Sequence, residues 1–381
     1  AVACSANDTT PTGEDKGQGG TGQGGSSGVS GTGQGGAPVG GAPVGGAPTG
    51  GVSGSVTGGT GSGGVSGTGP TGGVAGTAGT PATGGVAGTP ATGGTAGAAG
   101  GGATLVEPIE RSGQYVFEFG DLFFQVDPAG ARVTDVHLAG GTNLLTGASI
   151  NATNYGSTFW TSPQQPWNWP PVPEIDSGPY TPAVASPSVN FVGAPATRIP
   201  ARVAKMFTAD LAKVAMNVTY TTQATATGQS FAPWEITRVF RSGITFWPTG
   251  SAPRAGGSFQ LPPTTDSAGC TWHTAPTANG SDQKLLANGT GGWLAHADGD
   301  IVIVKKFADT NMPAPGEDEI ELFVSGTANY IEVEQQGAYQ AVANGANMDW
   351  TVTWFVKRLP SGVTATAGNQ ALVTFVQSLV Q

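Results

Sequence analysis

The chain has 381 residues, a formal net charge of −10 and only 10% charged residues. An acidic chain poor in Lys and Arg is a weak partner for nucleic acid or for an anionic membrane surface. No apolar run approaches the roughly 18 residues that a membrane-spanning helix needs.

The first stretch is a Gly-rich low-complexity segment. Residues 1–102 hold 39 of the 65 glycines and only four charges, Asp8, Glu14, Asp15 and Lys16, and no aromatic residue precedes Tyr115. So little apolar bulk cannot offset the entropy of ordering, so residues 1–103 are expected to be a disordered tether and 104–381 a single large domain. A coil of that length spans on the order of 50–60 Å. Ala1-Val2-Ala3-Cys4 resembles the end of a bacterial lipoprotein signal, where small residues precede an acylated cysteine. The resemblance implies lipidation at Cys4 and a place in the bacterial cell envelope, with the lipid as the only membrane contact; the alternative is an ordinary thiol near a disordered end.

From Tyr115 the pattern becomes β. YVFEFGDLFFQVD predicts two strands around a Gly120-Asp121 turn, and Ala131–Leu138 alternates apolar and polar residues. Asn154–Tyr180 interrupts the series with Trp160, Trp167 and Trp169 and with five prolines from Pro163 to Pro173. Proline fixes φ and removes a backbone donor, so this stretch is expected to be a rigid ordered loop presenting indoles and the carboxylates Glu174 and Asp176. Further alternating runs include 203–207, 214–221, 234–240, 244–247, 292–296, 301–307, 319–324, 330–335 and 348–356. Spaced by Gly, Pro and Asn turns, they predict an all-β antiparallel sandwich. Only residues 369–381 have helical spacing, with Leu372, Phe375, Val376 and Leu379 on one face and Asn369 as N-cap.

Period two places Tyr330, Glu332 and Glu334 on one strand face, opposite Ile331 and Val333. Carboxylates that close raise at least one pKa, which suits acid–base work; a solvated strand face is the alternative. Trp234, Ile236, Arg238 and Phe240 share a face of their own strand, so Arg238 is either stacked on an indole or a ligand clamp. Lys305 shares a face with Ile301 and Ile303 and is expected to neutralise the carboxylates. Trp272 is placed to stack on a ligand beside His273, in a region expected to be loop. His137, His273 and His296 show no zinc spacing, and neither a metal nor a cofactor is expected. Indoles beside planar polar side chains suit sugars, whose apolar ring faces stack on aromatics.

The segments GARVTDVHLAGGTNLLTG, GSTFWTSPQQPWNWPP, APWEITRVF, GGWLAHADGDIVIVKKF, YIEVEQQGAY and WTVTWFVKRLP together resemble the galactose-mutarotase-like (aldose 1-epimerase-like) supersandwich, in a bacterial branch of it. The resemblance covers most of residues 113–381 and implies a large β-supersandwich with a C-terminal helix. It implies that Glu332 or Glu334 takes the proton of a sugar's O1 and that His273 serves as acid. It brings no counterpart to the family's paired histidines, so carbohydrate binding is expected ahead of catalysis. The binding residues expected are Trp160, Trp167, Trp169, Asp176, Arg238, Trp272, Lys305 and Tyr330. Two alternatives stand beside that reading: a sugar-active enzyme of the epimerase type, and a non-catalytic structural or adhesive surface protein.

Overall fold

A computed structural model describes residues 106–381; Cys4 and the Gly-rich segment lie outside the described residues. The alternating runs pair into two antiparallel sheets. The first runs, edge to edge, Ile109–Arg111, Gln114–Phe119, Leu122–Asp127, Arg132–Leu138, Ser157–Ser162, Gln229–Phe240, Tyr330–Gln336, Ile320–Val324, Gln283–Ala287 and Arg254–Ala255, with Gln340–Val342 also pairing to Gln229–Phe240. The second runs Thr265–Ser267, Cys270–Thr274, Ile244–Pro248, Trp293–Asp298, Ile301–Lys306, Asn347–Arg358, Ala215–Ala224, Ala201–Asp210, Ser188–Pro195 and Thr181–Ala185.

The two sheets pack face to face because each contributes one apolar row. Phe124 of the first sheet meets Phe207 and Trp354 of the second, and Phe159 stacks on Tyr220 with centroids 4.5 Å apart. Burying rings of this size stabilises a sandwich by about 1.5–3 kcal/mol per side chain. The outer face of the second sheet carries a separate apolar cluster, with Phe246, Trp272 and Val304 under Leu372, Val373 and Val376. Those last three belong to the helix Gln370–Leu379, whose N-cap Asn369 accepts from the backbone N–H groups of Ala371 and Leu372. The alternation of the sequence thus produces an all-β sandwich with one C-terminal helix.

Three expectations about elements need correction. Trp160 lies on a central strand, Ser157–Ser162, because the prolines begin only at Pro163 and STFWTS is free to pair. Residues 173–176 form one helical turn, with Pro173 in its first position, where a missing N–H costs nothing. Cys270–Thr274, expected as loop, pairs with Ile244–Pro248 in the second sheet. Among the described residues no helix is long and apolar enough to cross a membrane.

Candidate functional site

Register decides which side chains meet. Gln229–Phe240 sits between Ser157–Ser162 and Tyr330–Gln336, so Trp234 lies opposite both Trp160 and Gln336, Ile236 opposite Thr158 and Glu334, and Arg238 opposite Glu332. The next strand places Glu321 opposite Glu334 and Phe323 opposite Glu332. Phe159 points into the sandwich against Tyr220. With a side-chain period of two, Trp160 and every residue aligned with it therefore point to the other face of the sheet.

Two polar groups form on that face. In one, the Trp234 indole N–H donates to Glu334 Oε2 at 2.9 Å. The Lys284 ammonium lies 2.6 Å from Glu321 and 3.7 Å from Glu334, and 4.9 Å from the centre of the Trp234 ring. Gln336 donates to Glu321 at 2.7 Å. In the other, Arg238 Nε donates to Glu332 at 2.8 Å, with the guanidinium 5.2 Å from the centre of Trp160. Trp160 in turn donates its indole N–H to Asp176 at 2.8 Å, and Asp176 also pairs with Arg132 at 2.9 Å. Arg238 Nη1 and Nη2, Glu334 Oε1 and Gln336 Oε1 are buried and make no hydrogen bond among the described residues.

Burial dominates the electrostatics. It pushes Glu334 up to about 7, with Glu332 adding to the rise and Lys284 opposing it. Burial also raises Glu321 well above the carboxylate range, again against Lys284 and reinforced by Glu334. For Lys284 burial works against the charge, but Glu321 and Glu334 outweigh it and hold the ammonium protonated above the usual lysine range. Two carboxyls sharing one ammonium this closely titrate as a unit rather than as independent acids.

Beside the Arg132–Asp176 end lies an open cleft of about 500 Å3, lined among others by Arg132, Asn154, Tyr155, Trp169, Pro170 and Asp176. Arg132 stacks over Tyr155 at 4.5 Å. The Asn154 side chain reaches the Tyr330 hydroxyl, which links the cleft to the strand of Glu332 and Glu334. Of the three expected tryptophans, Trp160 and Trp167 are 4% exposed, whereas Trp169 is 53% exposed at the rim of this cleft. Trp167 is tied inward by its indole N–H, which donates to the Thr161 carbonyl at 2.8 Å. Arg198 holds the loop's shape, donating to the carbonyls of Pro170 at 2.6 Å and Trp167 at 3.2 Å, and also to Pro171.

Three expected site residues lie elsewhere. Lys305 shares its face with Ile303 as anticipated, but that face is turned into the sandwich. Its ammonium binds Glu235 at 2.5 Å and Thr237 at 2.7 Å, behind the sheet that carries Glu332 and Glu334. His273 is fully buried in the second sheet, with Nδ1 2.9 Å from the Pro263 carbonyl and its pKa lowered by burial. Trp272 points to the opposite face of that strand, stacked on Phe246 at 4.4 Å and donating to the Ser267 carbonyl, so it faces no cleft. Conversely, Lys284, Glu321, Gln336, Arg132 and Arg198 complete the face and were not singled out from sequence, and Trp234 was placed there only as a neighbour of Arg238. Glu321 had a usable signal, since it alternates with Ile320 and Leu322 in an anticipated strand. Lys284 had none, because QKLLA carries no clear alternation. Among the described residues no group of three or more His, Cys, Asp or Glu is placed to hold a metal ion.

No protein-family model matches the chain. No curated protein matches it. Among solved structures it is similar to a galactose mutarotase-like protein from Lactobacillus casei, with 14% identity, 64% of this chain and 100% of that one covered and a TM-score of 0.49. It is similar to a galactose mutarotase related enzyme from Lactobacillus acidophilus at 9% identity, covering 66% and 99%, with a TM-score of 0.45. A galactose mutarotase-like protein from Clostridium acetobutylicum gives 9% identity, 67% and 98% coverage and a TM-score of 0.43. Likeness at this level carries nothing about activity.

Proposed function

We propose that the face bearing Trp160, Trp234 and Glu334 receives a carbohydrate, and that Glu334 exchanges a proton with the sugar's anomeric hydroxyl, as in an aldose 1-epimerase-like reaction. The observation that carries this reading is Glu334 itself. One of its oxygens is fixed by the Trp234 indole, the other is unpartnered, and burial raises the carboxyl to about 7. A carboxyl titrating near neutrality is suited to taking and returning one proton. Ring opening at the anomeric carbon moves the O1 proton to Glu334 and breaks the bond to the ring oxygen, which takes a proton from water; reclosing returns that proton to water and the Glu334 proton to O1. Indoles supply apolar faces for the ring, and Arg238, Glu332 and Gln336 supply planar partners for its hydroxyls.

Glu334 is fully buried, so this reading requires the site to open before a sugar reaches the carboxyl. Binding without turnover is the second reading. It is favoured by the histidines: His273 and His296 lie in the second sheet, and His137 pairs with Asp135 at 2.9 Å beside Phe123. None of the three stands beside Glu334 to protonate a ring oxygen.

Polarimetry of freshly dissolved aldoses with residues 104–381, alongside calorimetry of the same sugars, separates the readings. Turnover above buffer that disappears in Glu334→Gln supports the enzyme. Heat of binding without turnover leaves the binding protein, and silence in both measurements removes the carbohydrate. Lipid anchoring at Cys4 is a separate proposal, resting on Ala1-Val2-Ala3-Cys4 alone. Labelled fatty acid incorporated by the wild type but not by Cys4→Ser would support it, and equal labelling of the two would refute it.

A further inference from the structure

The cleft and Glu334 lie at two ends of one face, and the distance between them bears on the size of the ligand. From Trp234, which holds Glu334, the nearest indole is Trp160 at 5.2 Å, and Trp169 is a further 6.1 Å step beyond it, each pair edge to face. A pyranose is about as wide as an indole, so one ring seated at Glu334 does not also cover Trp169. The cleft at the Trp169 end holds about 500 Å3. That lies within the range of roughly 300–1,000 Å3 for pockets that enclose whole drug-sized molecules, and is more than a single sugar ring fills.

The cleft is also built as a fixed surface. Trp169 is held from behind by Trp160 and sits between Asn168, whose side chain accepts its backbone N–H at 2.9 Å, and Pro170, whose carbonyl is held by Arg198. Facing groups are equally constrained: Arg132 is locked by Asp176 and by the carbonyls of Thr153 and Tyr155, and lies over the Tyr155 ring. A half-exposed indole with little conformational freedom loses little entropy when a ligand stacks on it. Its outer side is open, so a chain of sugar units can continue into solvent.

Resting on the carbohydrate reading above, we propose that the cleft between Trp169 and Tyr155 is a subsite for the second unit of an oligosaccharide, so that the ligand is the end of a glycan chain rather than a free monosaccharide. The ring beyond the terminal unit stacks on Trp169, and its hydroxyls meet Arg132, Asn154 and Asp176.

The test is calorimetric titration of glucose, galactose and mannose and of their linear di- to tetrasaccharides into the wild type, Trp169→Ala and Trp169→Phe. Circular dichroism checks that each variant folds. The expected result is a trisaccharide bound about tenfold tighter than its monosaccharide by the wild type, a ratio that falls to about one in Trp169→Ala and is largely kept in Trp169→Phe. Equal affinity for one unit and three in the wild type overturns the subsite, as does a ratio that survives Trp169→Ala. No binding of any sugar, at any length, instead overturns the carbohydrate reading and the subsite with it.

Discussion

The indole N–H of Trp234 meets Glu334 Oε2 at 2.9 Å from the adjacent strand, while Glu334 Oε1 has no partner among the described residues. A fixed, half-satisfied carboxyl next to a lysine is held in one orientation yet keeps a lone pair for a ligand. Its titration is therefore measurable from both function and stability.

Glu334 titrates near 7 in the folded chain, against an ordinary carboxyl value near 4.5. Its folded pKa is raised, so it favours folding below the unfolded value and loses that contribution as pH rises from about 4.5 through 7. Glu334→Gln is expected to be more favourable relative to wild type at pH 8 than at pH 5, by on the order of 2 kcal/mol. Urea denaturation at both pH values measures this difference. In the enzyme reading, turnover rises through pH 7 as the base loses its proton, and the variant shows no such rise.

Among the described residues, Lys284 is the one ammonium shared by Glu321 and Glu334. Lys284→Met removes it and leaves two buried carboxyls to protonate or repel, at a cost of about 3–5 kcal/mol near neutral pH. Adding Glu321→Gln to that variant should recover part of the loss. Chemical denaturation of the single and double variants decides, and additive losses would show that the three groups do not act together.

His296 is lowered by burial to about 4, and burial also lowers His273. A histidine whose folded pKa is depressed takes up its proton in the unfolded chain first, so stability falls as pH drops from about 6.5 towards 4. For His296 the full loss is about 3 kcal/mol. His296→Asn, which keeps a partner for the Thr245 hydroxyl now 3.0 Å from Nδ1, should flatten that part of the thermal stability profile. An unchanged acid limb would assign the loss to other groups.

Arg198 fixes the Trp/Pro loop through three carbonyls, one bond of 2.6 Å among them, while remaining largely on the surface. Arg198→Ala is expected to cost only about 1 kcal/mol in global stability but to loosen the loop selectively. Hydrogen exchange at the Trp167 and Trp169 amides should quicken, while the strand Tyr330–Gln336 stays protected. Uniform quickening would mean that Arg198 supports the whole sandwich.

The amino-acid sequence by itself determined the elements whose signals are local. Alternation set Tyr330, Glu332 and Glu334 on one face and Trp234, Ile236 and Arg238 on another, and Asn369 ahead of the 3.6-residue spacing marked the helix. Strand period also grouped Lys305 with Ile301 and Ile303. Parity tells which residues share a face, but not whether that face meets the core, the solvent or a ligand. Only the pairing of distant strands turned Lys305 inward to Glu235 and brought Lys284 and Glu321 to Glu334. The same pairing made Trp160 a strand residue, buried Trp167 and left Trp169 at the open cleft. Register between segments more than a hundred residues apart, such as Trp234 opposite Gln336 and Ala215 opposite Phe355, is a property of the whole sheet, and no local pattern carries it.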